Sequence, residues 1–85
     1  MFNVELGNSA KKFLKHCDPQ LYERLMERIK SLETNPFPKD VKRVVGRNEK
    51  IFRVRLGDYR IQYAVFHEKM TVVITDIDKR SKAYY

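Results

Sequence analysis

Arg53-Val54-Arg55-Leu56-Gly57-Asp58-Tyr59-Arg60-Ile61-Gln62-Tyr63 is the stretch whose reading decides the fold. Gly57-Asp58 fits a two-residue hairpin loop, with glycine first as a type II′ turn prefers, and the flanking residues alternate apolar and polar. With those two residues as the loop, Leu56 faces Tyr59, Arg55 faces Arg60, Val54 faces Ile61 and Arg53 faces Gln62. Side chains alternate along a strand, so Arg53, Arg55, Arg60 and Gln62 share one side. Phe52, Val54, Leu56, Tyr59, Ile61 and Tyr63 share the other, which is the core side. Arginines set directly opposite each other destabilise a ladder, so this surface is best understood with an anion seated on it.

Working outward, Phe2, Val4 and Leu6 alternate with Asn3 and Glu5 as in a half-buried strand, ended by Gly7. Asn8 or Ser9 is the expected cap of a short helix whose apolar residues are Ala10, Phe13, Leu14 and Cys17. Asp18 offers a second N-cap, and Pro19 suits the first helical position because its missing amide proton costs nothing there. Leu21, Leu25, Ile29 and Leu32 form the stripe of a second helix ending before Asn35-Pro36. Pro36-Phe37-Pro38 is a stiff connector, Val41 to Val45 a short strand stopped by Gly46, His67-Glu68-Lys69 a turn, and Met70 to Ile77 a final β-branched strand. This order predicts an α+β fold in one domain, residues 1–85. An N-terminal strand and an antiparallel helical hairpin pack on one face of a mostly antiparallel four- to five-stranded sheet, with the arginine face left open.

The 85 residues carry eighteen Lys and Arg against eleven Asp and Glu, a formal net charge of +7 that favours polyanionic partners, nucleic acid first. A lone cysteine, Cys17, excludes an internal disulfide and a cysteine-rich zinc site, and fits a reduced, cytoplasmic setting. No stretch approaches the roughly 18 apolar residues of a membrane span. No phosphate-binding glycine loop or metal-ligand cluster is present, so no cofactor and no metal are expected. His16 and His67 could in principle divide acid and base work on a phosphodiester, but one belongs to the first helix and the other to a distal turn. Metal-free RNA cleavage needs activation of a 2′-hydroxyl, stabilisation of phosphate charge and help for the departing 5′-oxygen. Arg53, Arg55, Arg60, Arg80 and a terminal tyrosine can meet those needs without histidine, and they fit a passive phosphate cradle equally well.

End to end, the chain resembles the RelE/ParE superfamily of toxins from prokaryotic toxin-antitoxin pairs, and within it the RelE branch. The resemblance lies in the opening strand, Ala10-Lys11-Lys12-Phe13-Leu14, Asn35-Pro36-Phe37-Pro38 with Val41 to Gly46, the Phe52–Tyr63 segment, and the closing Lys79-Arg80-Ser81-Lys82-Ala83-Tyr84. It implies a RelE-like RNase fold and a ribosome-dependent endoribonuclease that cleaves mRNA in the ribosomal A site, restrained by a RelB-like antitoxin. The two basic strand residues of RelE relatives fall on Arg53 and Arg55, the next strand's arginine on Arg60, the tail arginine on Arg80 and the terminal tyrosine on Tyr84, with Tyr85 one residue away. Gln62, Lys79, Lys82 and Tyr85 join Arg53 and Arg55 as expected nucleic-acid contacts. Lysine often occupies the strand positions in relatives and can act as a base there. Arginine stays protonated, which assigns Arg53 and Arg55 to charge stabilisation. Two alternatives share this pattern: a ParE-like poison of DNA gyrase, and a basic RNA- or ribosome-binding module without catalysis.

Overall fold

The computed structural model describes residues 1–44 and 50–79. Strands β1 (Asn3–Leu6), β2 (Lys42–Arg43), β3 (Ile51–Leu56), β4 (Tyr59–Phe66) and β5 (Thr71–Lys79) form one sheet in the order β1-β5-β4-β3-β2. Helices α1 (Asn8–His16) and α2 (Pro19–Ser31) supply the apolar layer on one side. β1 runs parallel to β5 and every other pair is antiparallel, so the sheet is the five-stranded form of the expected α+β architecture.

Where local chemistry dominates, the elements form as their residues dictate. Asp18 accepts a hydrogen bond from the Leu21 amide at 3.1 Å and Pro19 takes the first helical turn, so α2 starts where its cap requires. Its stripe of Leu21, Leu25 and Ile29, continued by Leu32, is buried against Val54, Ile61, Tyr63, Val72, Ile74 and Ile77 of the sheet. Ala10 and Leu14 add the contribution of α1. Burial of each larger aliphatic side chain contributes about 2 kcal/mol.

The expected cap of α1 is displaced. Gly7, in extended conformation, holds that position, and neither Asn8 nor Ser9 caps the helix through its side chain. The cause is long-range: the Gly7 amide donates to the Ile74 carbonyl at 2.8 Å, and a Cβ at Gly7 would lie 3.0 Å from that same oxygen. Ser9 is turned instead to Asp76, donating to Oδ1 at 2.8 Å. The last strand also departs from expectation, beginning at Thr71 and reaching Lys79. Met70 takes a left-handed conformation (φ 48) that closes the short helical turn His67–Lys69. Of the strand expected from Val41 to Val45, Lys42–Arg43 pairs as a strand among the described residues, and Val45 and Gly46 lie outside them.

The β3–β4 register is the expected one, with Leu56 opposite Tyr59, Arg55 opposite Arg60, Val54 opposite Ile61 and Arg53 opposite Gln62. Gly57 has φ +59, and Met70 is the sole non-glycine with positive φ among the described residues. Asp58 therefore has negative φ, which makes the turn type II′ rather than I′. On its other side β4 meets β5 through a bulge: Gln62 pairs with Asp76 but Tyr63 pairs with Ile74, leaving Thr75 as the extra residue. The Thr75 hydroxyl donates to the Gln62 carbonyl at 3.2 Å, filling part of the broken ladder. Strict alternation from Val72 and Ile74 would send Asp76 and Asp78 into the core. The bulge reverses the phase, so Ile77 is buried, Asp78 emerges beside Arg60 and Asp76 lies where Ser9 at the start of α1 reaches it.

At the centre, Tyr63 is fully buried and its hydroxyl donates to the Pro36 carbonyl at 2.6 Å, fastening the connector after α2 to β4. Burial pushes its phenol above the ordinary 10.0, opposed by Arg28 and reinforced by Asp40. Because the folded state resists an ionisation that the unfolded chain accepts, the stability Tyr63 contributes is complete below pH 10.0 and is lost as pH rises above it. Tyr63→Phe should lower stability by about 1 kcal/mol near neutral pH through the lost hydrogen bond. It should also flatten the alkaline fall in stability, which urea unfolding across that pH range would measure. Gly57→Ala should cost about 1–2 kcal/mol because the turn needs a left-handed residue, read as a shift of the urea midpoint.

Candidate nucleic-acid interface

The face opposite the helices is built in rows set by the ladders. Across one row stand Arg55 of β3, Arg60 of β4 and Asp78 of β5; across the next stand Lys42, Arg53, Gln62 and Asp76. Arg53, Arg60 and Gln62 are half-buried and Arg55 is exposed, so rigid strands carry the cationic groups to the surface. Four of the expected site residues, Arg53, Arg55, Arg60 and Gln62, are thereby brought together.

The Arg55–Arg60 opposition has an internal answer. Arg60 donates from Nε to Asp78 Oδ1 at 3.2 Å and from Nη2 to Oδ2 at 3.1 Å, a side-on pairing with the carboxylate. The anion that the arginine ladder called for is carried by the protein itself next to Arg60. Arg53 and Arg55 border a separate hollow. Together with Lys42 and Asp40 they line a concavity of about 290 Å³. Asp40 accepts a hydrogen bond from Nη2 of Arg28 on α2, which holds its carboxyl below the usual 3.8. The acid that lines this hollow with Lys42, Arg53 and Arg55 is thus held by a helix.

Lys79 is not part of this face. It pairs with Tyr59, which points to the helix side, so Lys79 lines a separate groove of about 570 Å³ with Lys12, Phe13, His16 and Tyr59. Phe13 and Tyr59 meet edge-to-face there at 6.0 Å. Arg80, Lys82, Tyr84 and Tyr85 lie outside the described residues. The histidines do not form a pair: His16 borders this groove, while His67 stacks on Phe37 at 5.8 Å and meets the edge of Phe2 at 6.0 Å. Among the described residues no group of His, Cys, Asp or Glu could hold a metal ion.

The residues that sequence reasoning passed over are Lys42, Asp76 and Asp78. Asp76 and Asp78 flank Ile77 with strand alternation, which is a visible signal, but the bulge that decides their face has no local signature. Chemically the arrangement offers several guanidinium groups at fixed spacing for phosphate oxygens, with one of them oriented by a carboxylate.

Comparison with known proteins accords with this geometry. Residues 4–84 match the family described as the ParE toxin of the type II toxin-antitoxin system parDE. A Methanocaldococcus jannaschii protein named as a RelE1 toxin is 40% identical over 86 residues, covering 98% of this chain and 94% of its own. The archaeal RelE-RelB complex of Pyrococcus horikoshii contains a chain similar at 29% identity, with a TM-score of 0.81 over 96% of this chain and 98% of that one. The RelBE2 toxin-antitoxin complex of Mycobacterium tuberculosis is similar at 26% identity and a TM-score of 0.81, covering 93% and 98%. With its two helices on a five-stranded mixed sheet and a family match over nearly its whole length, the chain belongs to the RelE/ParE superfamily of type II toxins and is the toxin of a RelBE-type toxin-antitoxin system.

Proposed function

We propose that this toxin is a metal-independent endoribonuclease that enters the ribosomal A site and cleaves the mRNA held there, arresting translation in the cytoplasm. The observation that carries the reading is the grouping of Arg53, Arg55, Arg60 and Gln62 on one rigid face. Attack of a ribose 2′-hydroxyl on the adjacent phosphorus builds negative charge on the non-bridging oxygens, and positioned guanidinium groups stabilise it. Arg60 and Arg80 take that role and assist the leaving 5′-oxygen, with Arg53 and Arg55 adding to the field and holding the RNA strand. Tyr84, or Tyr85 beside it, brings the phenol that is the tail group nearest in kind to a general base. A site without histidine or lysine in those roles relies on a partner to orient the hydroxyl for in-line attack, which is why the ribosome is part of the reaction.

Restraint by a RelB-like antitoxin belongs to the same proposal, supported by the similar Pyrococcus and Mycobacterium chains, whose structures are complexes with their antitoxins. The match to the ParE family favours a second reading, a poison of DNA gyrase. The relative of highest quoted identity bears the RelE name, and the arginine face suits a phosphodiester, so the ribonuclease reading is preferred.

Toeprinting on translating ribosomes tests the choice. Purified protein should generate new mRNA 5′ ends at the A site, and Arg60→Ala and Arg80→Ala should each reduce that cleavage about 100-fold or more while leaving the thermal midpoint near the parent value. Undiminished cleavage by both folded variants would refute the assignment. Covalent gyrase–DNA adducts in place of mRNA ends would establish the second reading, and ribosome binding without new ends would leave a non-catalytic module.

A further inference from the structure

Asp78 holds Arg60 by the Nε edge and one Nη2 proton, with contacts of 3.2 and 3.1 Å. The arginine side chain is 18% exposed and the aspartate 47%, so the pair stands at the surface where a phosphate would approach, with the guanidinium the more deeply set member. The Thr75 bulge is what delivers the carboxylate: without the extra residue Asp78 would turn toward the helices. A second acid, Asp76, emerges beside it and is bound by Ser9 of α1, which braces this end of β5 against the helix layer.

Two consequences follow for an anion that meets Arg60. A long side chain with many rotamers is fixed in plane by a partner on its Nε edge, so its grasp of a phosphoryl group is preorganised. The same carboxylate subtracts a positive charge from the face and weakens its long-range pull on any polyanion. Removing the charge at position 78 should therefore change binding and turnover in opposite directions, whereas loss of a merely structural contact would lower both together.

We infer that Asp78 is a positioning residue that aims the Arg60 guanidinium at the scissile phosphate, at the cost of general attraction for RNA. The inference rests on the ribonuclease reading. Asp78→Asn, which keeps size and one acceptor, is compared with the parent in two assays: binding of a short single-stranded RNA at graded salt, and A-site cleavage on translating ribosomes. The expected result is an affinity for the oligonucleotide raised about threefold, with a steeper salt dependence. Cleavage at saturating protein should slow about tenfold. Asp78→Glu should recover part of the lost rate, and the thermal midpoint should change little in either variant. Unchanged cleavage by Asp78→Asn, or a fall in affinity, rate and thermal midpoint together, overturns the assignment of Asp78 alone. Absence of cleavage by the parent protein overturns the ribonuclease reading instead, and Asp78's role with it.

Discussion

The central strand β4 has two different neighbours, and the fold depends on its being held in register against both. Toward β3 the register is pinned by the Gly57-Asp58 turn, whose left-handed glycine lets the chain reverse in two residues. Toward β5 it is pinned by the bulge at Thr75. A slip of one residue on either side would exchange the two faces of a strand, burying arginines or aspartates and exposing Val54, Ile61 or Ile77. The separation of an apolar layer from an ionic one is therefore a property of these two backbone irregularities more than of the regular segments between them.

The β3–β4 hairpin was legible because everything that fixes it is local: a two-residue loop, alternating side chains and a glycine where positive φ is required. The start of α2 was legible for the same reason, since Asp18 caps an amide three residues away. The start of α1 was not, because Gly7 is selected by the close approach of the Ile74 carbonyl, a strand away in space and remote in sequence. Asp78 escaped notice by the same logic. Its partner Arg60 is eighteen residues earlier, and only the phase change at Thr75 puts the two on one face. Lys79 shows the converse: grouped with the tail by its position in the chain, it is carried by alternation to the opposite side of the sheet.

Charge in this molecule is distributed by pairing as much as by composition. Arg28 and Asp40 join α2 to the segment before β2, and Arg60 and Asp78 join β4 to β5, so two of the acids near the arginine face have fixed partners. Such partly exposed pairs contribute on the order of 1 kcal/mol or less to stability. Their larger effect is geometric, because each fixes where a cation sits. Placing the cationic groups on strands rather than loops serves the same end, since a guanidinium that must meet one phosphate among many benefits from a rigid base.

The pairing of β1 with β5 has a consequence for how the toxin comes into being. Among the described residues β1 has no other strand to pair with than β5, which follows it by about 65 residues, and β5 also supplies the neighbour of β4 and the core residues Val72, Ile74 and Ile77. A nascent chain interrupted before β5 carries two amphipathic helices with an incomplete surface to lie on. Without β5, the sheet loses the strand that joins β1 to β4, and neither helix has a complete apolar floor.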